Sequence, residues 1–175
     1  MRLLTLFMML LPAVVGLTLN KTDGTTIELG DQPTVIDLRN VIMPARASVT
    51  ESNIHSNPDV ADVNIANWDR LASNLHFHDH INYQGNVMTS YRCIDGINSC
   101  MTLLNNDPIP FGASSITFKD CPDGAPNHGR KFHCFFFRTG ACEATARSLY
   151  LRGSVANLAN IGWNDKIKSV ECYWD

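Results

Sequence analysis

Apolar residues recur at every second position in short runs, which is the period of a half-buried strand. Thr25 to Leu29 alternates in this way and stops at Gly30-Asp31, Val35 to Ile42 is a β-branched run, and Ala61 to Ile65 alternates again. Further strand-like runs lie at Asn74 to Phe77, Met88 to Arg92, Ser114 to Phe118, Lys131 to Phe137, Ser148 to Arg152 and Ile167 to Trp174. Clusters of Gly, Asn, Asp and Pro separate them at the spacing of an all-β sandwich. Pro44 to Pro58 is rich in Ser, Asn and Thr, has no apolar period and reads as a long loop. No long stretch carries a helical period, so the expected class is all-β and antiparallel, with Phe135-Phe136-Phe137 in a buried strand rather than a lipid-inserting patch.

The first residues follow another pattern. Arg2 precedes an apolar run from Leu3 to Leu11, then Pro12 and the small-residue approach Val14-Val15-Gly16. This is the layout of a cleaved secretory signal over residues 1–16, with cleavage expected after Gly16. The run is shorter than the roughly 20 residues of a bilayer crossing. The mature chain is therefore expected to be secreted, extracellular and without a transmembrane segment. Six cysteines, Cys93, Cys100, Cys121, Cys134, Cys142 and Cys172, then read as disulfides in an oxidising compartment. No Cys-x2-Cys pair supports a zinc site. Asn20-Lys21-Thr22 is a glycosylation sequon, which marks Asn20 for modification and the protein as a glycoprotein.

With 175 residues, 45% hydrophobic and 18% charged, the chain can bury a real core. Its net charge is -3 and its basic residues are scattered, so no phosphate-binding stripe exists and no nucleic acid is expected as partner. All cysteines follow residue 92, which divides the chain into unlike parts. Residues 17–73 form a β-rich extension or degenerate unit, and residues 74–175 a disulfide-stabilised domain.

The second part contains an internal repeat. Phe77-His78-Asp79-His80-Ile81-Asn82-Tyr83-Gln84-Gly85 aligns with Phe136-Phe137-Arg138-Thr139-Gly140-Ala141-Cys142-Glu143-Ala144, and Ala113 to Phe118 aligns with Ile167 to Cys172. Tyr83 and Phe118 in one copy face Cys142 and Cys172 in the other, as though an aromatic contact were exchanged for a disulfide. On that ground Cys142 is expected to bond Cys172. Short-range pairs Cys93 with Cys100 and Cys121 with Cys134 complete one arrangement, and the alternatives among those four remain open.

These residues resemble the βγ-crystallin Greek-key motif, which has an aromatic, four residues, an aromatic, one residue and a glycine at its first hairpin. Near its end that motif has an Asn/Asp-Asn/Asp-x-x-Ser/Thr-Ser turn. Asn164-Asp165-Lys166-Ile167-Lys168-Ser169 after Gly162-Trp163 is the nearest match, while the first copy keeps Tyr83-x-Gly85 and Ser114-Ser115. His78 stands at the first aromatic position, Ala144 replaces the second glycine, and Pro110-Phe111 replaces the acid or amide pair of the first turn. Trp68 to Ser73 echoes the same turn within the extension. The resemblance implies a Greek-key sandwich over residues 74–175.

It also implies paired calcium sites in which the two turns exchange oxygen ligands. Asn164 and Asp165 would combine with Ser114, but Pro110 and Lys168 spoil the reciprocal site, leaving one weak Ca2+ site or none and no required cofactor. His76, His78 and His80 alternate, so a strand continuing through them would aim three imidazoles at one transition metal. The same residues also suit a metal-free role in core or surface. No Gly-x-Ser-x-Gly, His-Glu-x-x-His or phosphate loop is present, so no catalytic residue is nominated and a non-enzymatic protein is expected. By analogy with small crystallin-like toxins, antimicrobial proteins and effectors, its partner would be an extracellular protein or cell-surface target. The contact loops would be Asn82 to Gly85, Asp95 to Ser99 and Asp123 to Arg130. Alternatives are a secreted protease inhibitor, presenting Cys93 to Cys100 or Pro122 to His128, and a structural calcium-binding extracellular protein.

Overall fold

The computed structural model describes residues 16–43, 73–92, 100–103, 109, 112–123, 127–145 and 147–174. The strands expected at Ala61 to Ile65, the loop at Pro44 to Pro58 and the Trp68 echo lie outside the described residues. Ten strands follow in order: β1 Leu17–Asn20, β2 Thr26–Leu29, β3 Thr34–Ile36, β4 Ser73–His78, β5 Val87–Arg92, β6 Met101–Thr102, β7 Ser115–Phe118, β8 Phe132–Phe137, β9 Ser148–Leu151 and β10 Ser169–Trp174. A single turn of 3-10 helix, Leu158–Ile161, precedes β10.

Every pairing between these strands is antiparallel. One sheet has the order β5-β4-β7, and a second runs β3-β9-β8-β10-β6. Two third segments change sides. Short β6, which follows β5 in the chain, pairs with β10 through Val170 opposite Met101. Val155, which follows β9, bridges to Ile116 on β7. Each four-segment unit thus gives its third segment to the other unit's sheet, and the domain is the Greek-key sandwich of βγ-crystallin type that the repeat implied.

The two copies superpose in their hydrogen bonding. His78 opposes Ser115, Phe77 opposes Ile116 and Leu75 opposes Phe118 in the first. In the second, Phe137 opposes Ser169, Phe136 opposes Val170 and Cys134 opposes Cys172. Aligned residues Phe77 and Phe136 meet edge to face across the sandwich, with ring centroids 6.1 Å apart. A two-fold relation brings equivalent side chains together in this way. Around them Leu75, Ile116, Leu149, Leu158, Trp163 and Val170 form the central core, each fully buried.

A second core lies on the other face of β8. Phe132, Cys134 and Phe136 point into the sandwich, whereas Phe135 and Phe137 point outward, beside Tyr150 and Tyr173. Leu19, Leu29, Ile36, Leu38 and Val41 cover them. β3 extends the sheet by pairing with β9, and the Leu38 N–H donates to the Thr145 carbonyl at 3.0 Å. This burial on both faces explains the unbroken Phe135-Phe136-Phe137 run. The extension over residues 17–43 is a sheet layer of the same body.

Two expectations for the extension change. Val35 to Ile42 is not one strand: β3 ends at Ile36, and the Asp37 carboxylate accepts the Arg39 N–H at 3.1 Å, turning the chain there. Hydrogen bonds from Arg39 hold the Asp37 carboxyl at about 2, well below its usual range. Leu17–Asn20 forms a strand that the alternating pattern did not disclose, paired with β2 from Leu17 opposite Leu29 to Asn20 opposite Thr26.

The disulfide arrangement is corrected in full. Cys142 bonds Cys100, not Cys172, and Cys172 bonds Cys134. Cys121 is also disulfide-bonded, but not to Cys134, and Cys93 lies outside the described residues. The physical reason is the strand exchange. Cys100 stands beside β6, which belongs to the second unit's sheet, and so reaches the second unit's hairpin. Cys134 and Cys172 are direct cross-strand neighbours. The expected contact between Tyr83 and Phe118 is also absent, because they lie toward opposite ends of β7. Tyr83 N–H meets Ser115 at one end, and Phe118 forms the other.

Candidate functional site

The β4–β5 hairpin is an exposed feature with a closely specified backbone. Asp79 organises it: its carboxylate accepts the Asn86 N–H at 2.8 Å and the Asn86 side-chain amide at 2.8 Å. Asn82 and Tyr83 then adopt left-handed backbone angles, φ 56 and φ 61, which few residues other than glycine hold without outside support. Ser115 supplies that support from β7. Its hydroxyl accepts the Tyr83 N–H at 3.0 Å and donates to the His80 carbonyl at 2.7 Å. Gly85 closes the turn at φ 82, where an added Cβ would lie 1.9 Å from the Asp79 carboxylate.

The second unit repeats this clasp atom for atom. Ser169 accepts the Cys142 N–H at 2.9 Å and donates to the Thr139 carbonyl at 2.6 Å. Cys142 shares the left-handed backbone of Tyr83, at φ 49. The repeat therefore rests on a serine hydroxyl, a stronger correspondence than the cysteine exchange inferred from sequence.

On the first hairpin, Ile81, Tyr83 and Val87 stand 45%, 41% and 38% exposed, within a frame that fixes their backbone. Large apolar side chains held in solvent by a rigid turn are suited to contact. The expected Asn82 to Gly85 loop is thus an exposed surface, whereas Asp95 to Ser99 lies outside the described residues. Of Asp123 to Arg130, the described residues are exposed or half-buried, and His128 binds back to the Cys121 carbonyl at 3.1 Å. The Cys93 to Cys100 loop is not closed by its own disulfide, since Cys100 bonds Cys142. Ile81 and Val87 were missed in the sequence, although an isoleucine inside a polar turn is itself a signal.

The three histidines do not converge. β4 ends at His78, so His80 leaves the strand and stands beside Asp79, with His80 Nε2 3.7 Å from the carboxylate. His76 and His78 share a face with centroids 6.5 Å apart. His78 is buried, its Nε2 is hydrogen-bonded to the Thr117 hydroxyl at 3.0 Å, and its ring meets Tyr83 edge to face at 5.9 Å. It thus fills the aromatic position of its motif. Burial pushes its pKa down, the charges of His76 and Lys119 act in the same direction, and Asp79 opposes them. Among the described residues, no group of three or more His, Cys, Asp or Glu has a metal-binding arrangement.

The residues expected around calcium fall at the meeting of the two turns. The Asp165 N–H donates to the Ala113 carbonyl at 3.0 Å, and Asp165 has a left-handed φ of 56. Gly112, at φ 102, leaves room for this approach: an added Cβ would lie 2.8 Å from the Asp165 Cα. Ser114 is buried and its carbonyl accepts the Leu158 N–H at 2.9 Å. Asn164 directs its side-chain amide to the Asp165 carboxylate. One carboxylate, one amide oxygen and one hydroxyl form a lean set for a cation that takes 6–8 oxygens. The hydrogen bonds described account for the shape of the turn. Pro110 lies outside the described residues.

Two mutant forms of a βγ-crystallin domain from Clostridium beijerinckii are similar in structure. They are 20% and 19% identical, with a TM-score of 0.41 each, and cover 57% of this chain and 96% and 97% of theirs. No family model and no curated protein matches. The fold assignment rests on the exchanged third segments and paired serine clasps of the chain itself.

Proposed function

We propose that the protein is a secreted, non-enzymatic binding protein that acts by contact on an extracellular protein or cell-surface target, in the manner of toxins, antimicrobial proteins and effectors. The observation that carries this reading is the braced β4–β5 hairpin, with Ile81, Tyr83 and Val87 exposed on a turn fixed by Asp79 and Ser115. The Cys100–Cys142 and Cys134–Cys172 disulfides, and Asn20 exposed within its sequon, suit an extracellular setting. Among the described residues, no helix is long and apolar enough to cross a membrane. A preformed apolar surface binds without the cost of ordering a loop.

The test is binding of fluorescently labelled mature protein to intact bacterial, fungal, plant and animal cells. Saturable binding to one class is expected. The Ile81→Ser variant should lose at least about tenfold in affinity with its urea midpoint little changed, because that side chain is solvent-exposed. Unaltered binding by that variant rejects the hairpin as the contact. Absence of saturable binding to every class rejects the reading.

A further inference from the structure

The two sheets of the sandwich end on β5 and β7 in one and on β3 and β6 in the other. A sheet edge presents unpaired N–H and C=O groups, which proteins blunt with short strands, charges or a cover. Three of these edges are treated in that way. Val155 and Ile116 exchange both backbone hydrogen bonds, at 2.8 and 2.9 Å, and so cover the middle of β7. β6 has two residues, and β3 has three before the Asp37–Arg39 ion pair at 2.6 Å. β5 has six residues, pairs among the described strands with β4 alone, and carries no charge and no proline from Val87 to Tyr91.

The phase of the β4–β5 ladder decides which groups stay free. The Asp79 N–H donates to the Asn86 carbonyl at 3.2 Å, and alternation then makes Phe77 with Met88 the next hydrogen-bonded pair. Val87 and Thr89 therefore turn their N–H and C=O groups away from β4. In the second unit Phe136 opposes Leu149 as Phe77 opposes Met88, which makes Ser148 and Tyr150 the equivalents of Val87 and Thr89. Those two residues stand opposite Ile36 and Thr34 of β3. The same edge is thus filled by a strand in one unit and open in the other. At the open edge Val87 is 38% exposed, and Thr89 is exposed as well.

The geometry points to a second copy of this chain as the occupant: two β5 strands pair antiparallel across a two-fold axis at Thr89, joining two three-stranded sheets into one. The groups left free are main-chain amides, which another strand satisfies. An extension exchanged between copies fits less well, because β3 is held with an apolar layer over Phe135 and Tyr150, whose equivalents in the first unit are His76 and Thr89. A second β5 brings its own match. Thr89 meets Thr89, a favourable cross-strand pair, and no like charges oppose one another from Val87 to Tyr91. Arg92 of one copy reaches the register of Asn86 in the other, and Asn86 is the residue bound to the Asp79 carboxylate, so the charges at the two ends are opposite in sign. A single strand pair is smaller than the roughly 1,200 Å² of a stable interface, so the dimer is reversible. Ile81 and Tyr83 lie outside the paired segment, and the dimer is independent of the hairpin contact proposed above.

Sedimentation equilibrium of the mature chain from about 1 μM to about 1 mM tests the assignment, with a monomer–dimer equilibrium expected inside that range. Thr89→Lys is the decisive variant, because the side chain is exposed and the two-fold axis sets the new ammonium groups against each other. It should weaken the dimer at least about tenfold at an unchanged urea midpoint. Thr89→Pro removes an N–H that β4 does not use and should act in the same direction. Thr89→Cys tests the register: mild oxidation should cross-link it to a covalent dimer, whereas Val35→Cys, at a position 41% exposed on the β3 edge, should not cross-link. The proposal is overturned if the parent stays monomeric at about 1 mM, or if assembly continues past two copies. A dimer that survives Thr89→Lys is formed elsewhere, such as by exchange of the extension, and also overturns it, as does equal cross-linking of the two cysteine variants.

Discussion

The two Greek-key units share a backbone plan yet are held by different means. At one register position the first unit opposes Leu75 to Phe118, and the second opposes Cys134 to Cys172. At the hairpin the first has Asp79 with Gly85, the second Arg138 with Ala144. Where Asp79 turns inward to organise the loop, only a glycine fits at position 85. Without that carboxylate the second hairpin accepts a side chain at the same place, and the Cys100–Cys142 disulfide anchors it instead. What the units retain in common is the serine that satisfies a left-handed N–H. One small polar residue therefore specifies the turn, and the means of bracing around it can vary.

The largest effect expected from breaking this contrast is at the cross-strand cysteines. Replacing Cys134 and Cys172 by alanine opens a loop with a sequence separation of 38. In the chain-entropy account this costs about 4 kcal/mol, measurable as a fall in urea unfolding free energy. The complementary Leu75→Cys/Phe118→Cys variant should close a new disulfide on oxidation, detected by mass spectrometry of the unreduced protein. Persistent free thiols would break the equivalence of the two positions.

Next comes Gly85→Ala, which combines a left-handed backbone with collision against Asp79 and should cost about 2–3 kcal/mol. Ala144→Gly should change stability by less than about 1 kcal/mol, judged by the same unfolding curve. Equal costs at both sites would show that the hairpins are constrained alike. Ser115→Ala and Ser169→Ala each remove an acceptor and a donor and should each cost about 1–3 kcal/mol. The sharper expectation is that their costs agree with one another.

The smallest effect is the pH dependence of the first unit. His78 has a pKa below its ordinary 6.5 in the folded chain, because burial disfavours the imidazolium. The unfolded chain then binds the proton more readily, so stability falls as pH drops through 6.5 and levels off once the folded value is passed. Phe137, at the equivalent position, has no such response. His78→Phe should flatten this part of the stability-pH profile, and an unchanged slope would assign it to another group.

Much of this plan was legible in the residues. Strands β7 to β10 announced themselves as short apolar, aromatic and β-branched runs bounded by turn residues, and the repeat located both hairpins and both serines. Three features escaped for physical reasons. β6 has two residues, too few to show a period. β1 directly follows an apolar run of sequence, which masks its own alternation. The disulfides depended on which strands become neighbours after the third segments exchange, and sequence proximity carries no trace of that. Treating Cys100 as part of the second unit's sheet would have directed it toward Cys142.

That β8 is covered on both faces has a consequence for how the molecule is made. Ile36 pairs with Ser148, so the earliest described layer has no berth until the ribosome has passed the ninth strand. During that interval Leu19, Leu29 and Leu38 must wait with their greasy sides uncovered. A nascent chain stalled before Ser148 is therefore exposed to wrong partners until the last layer can dock.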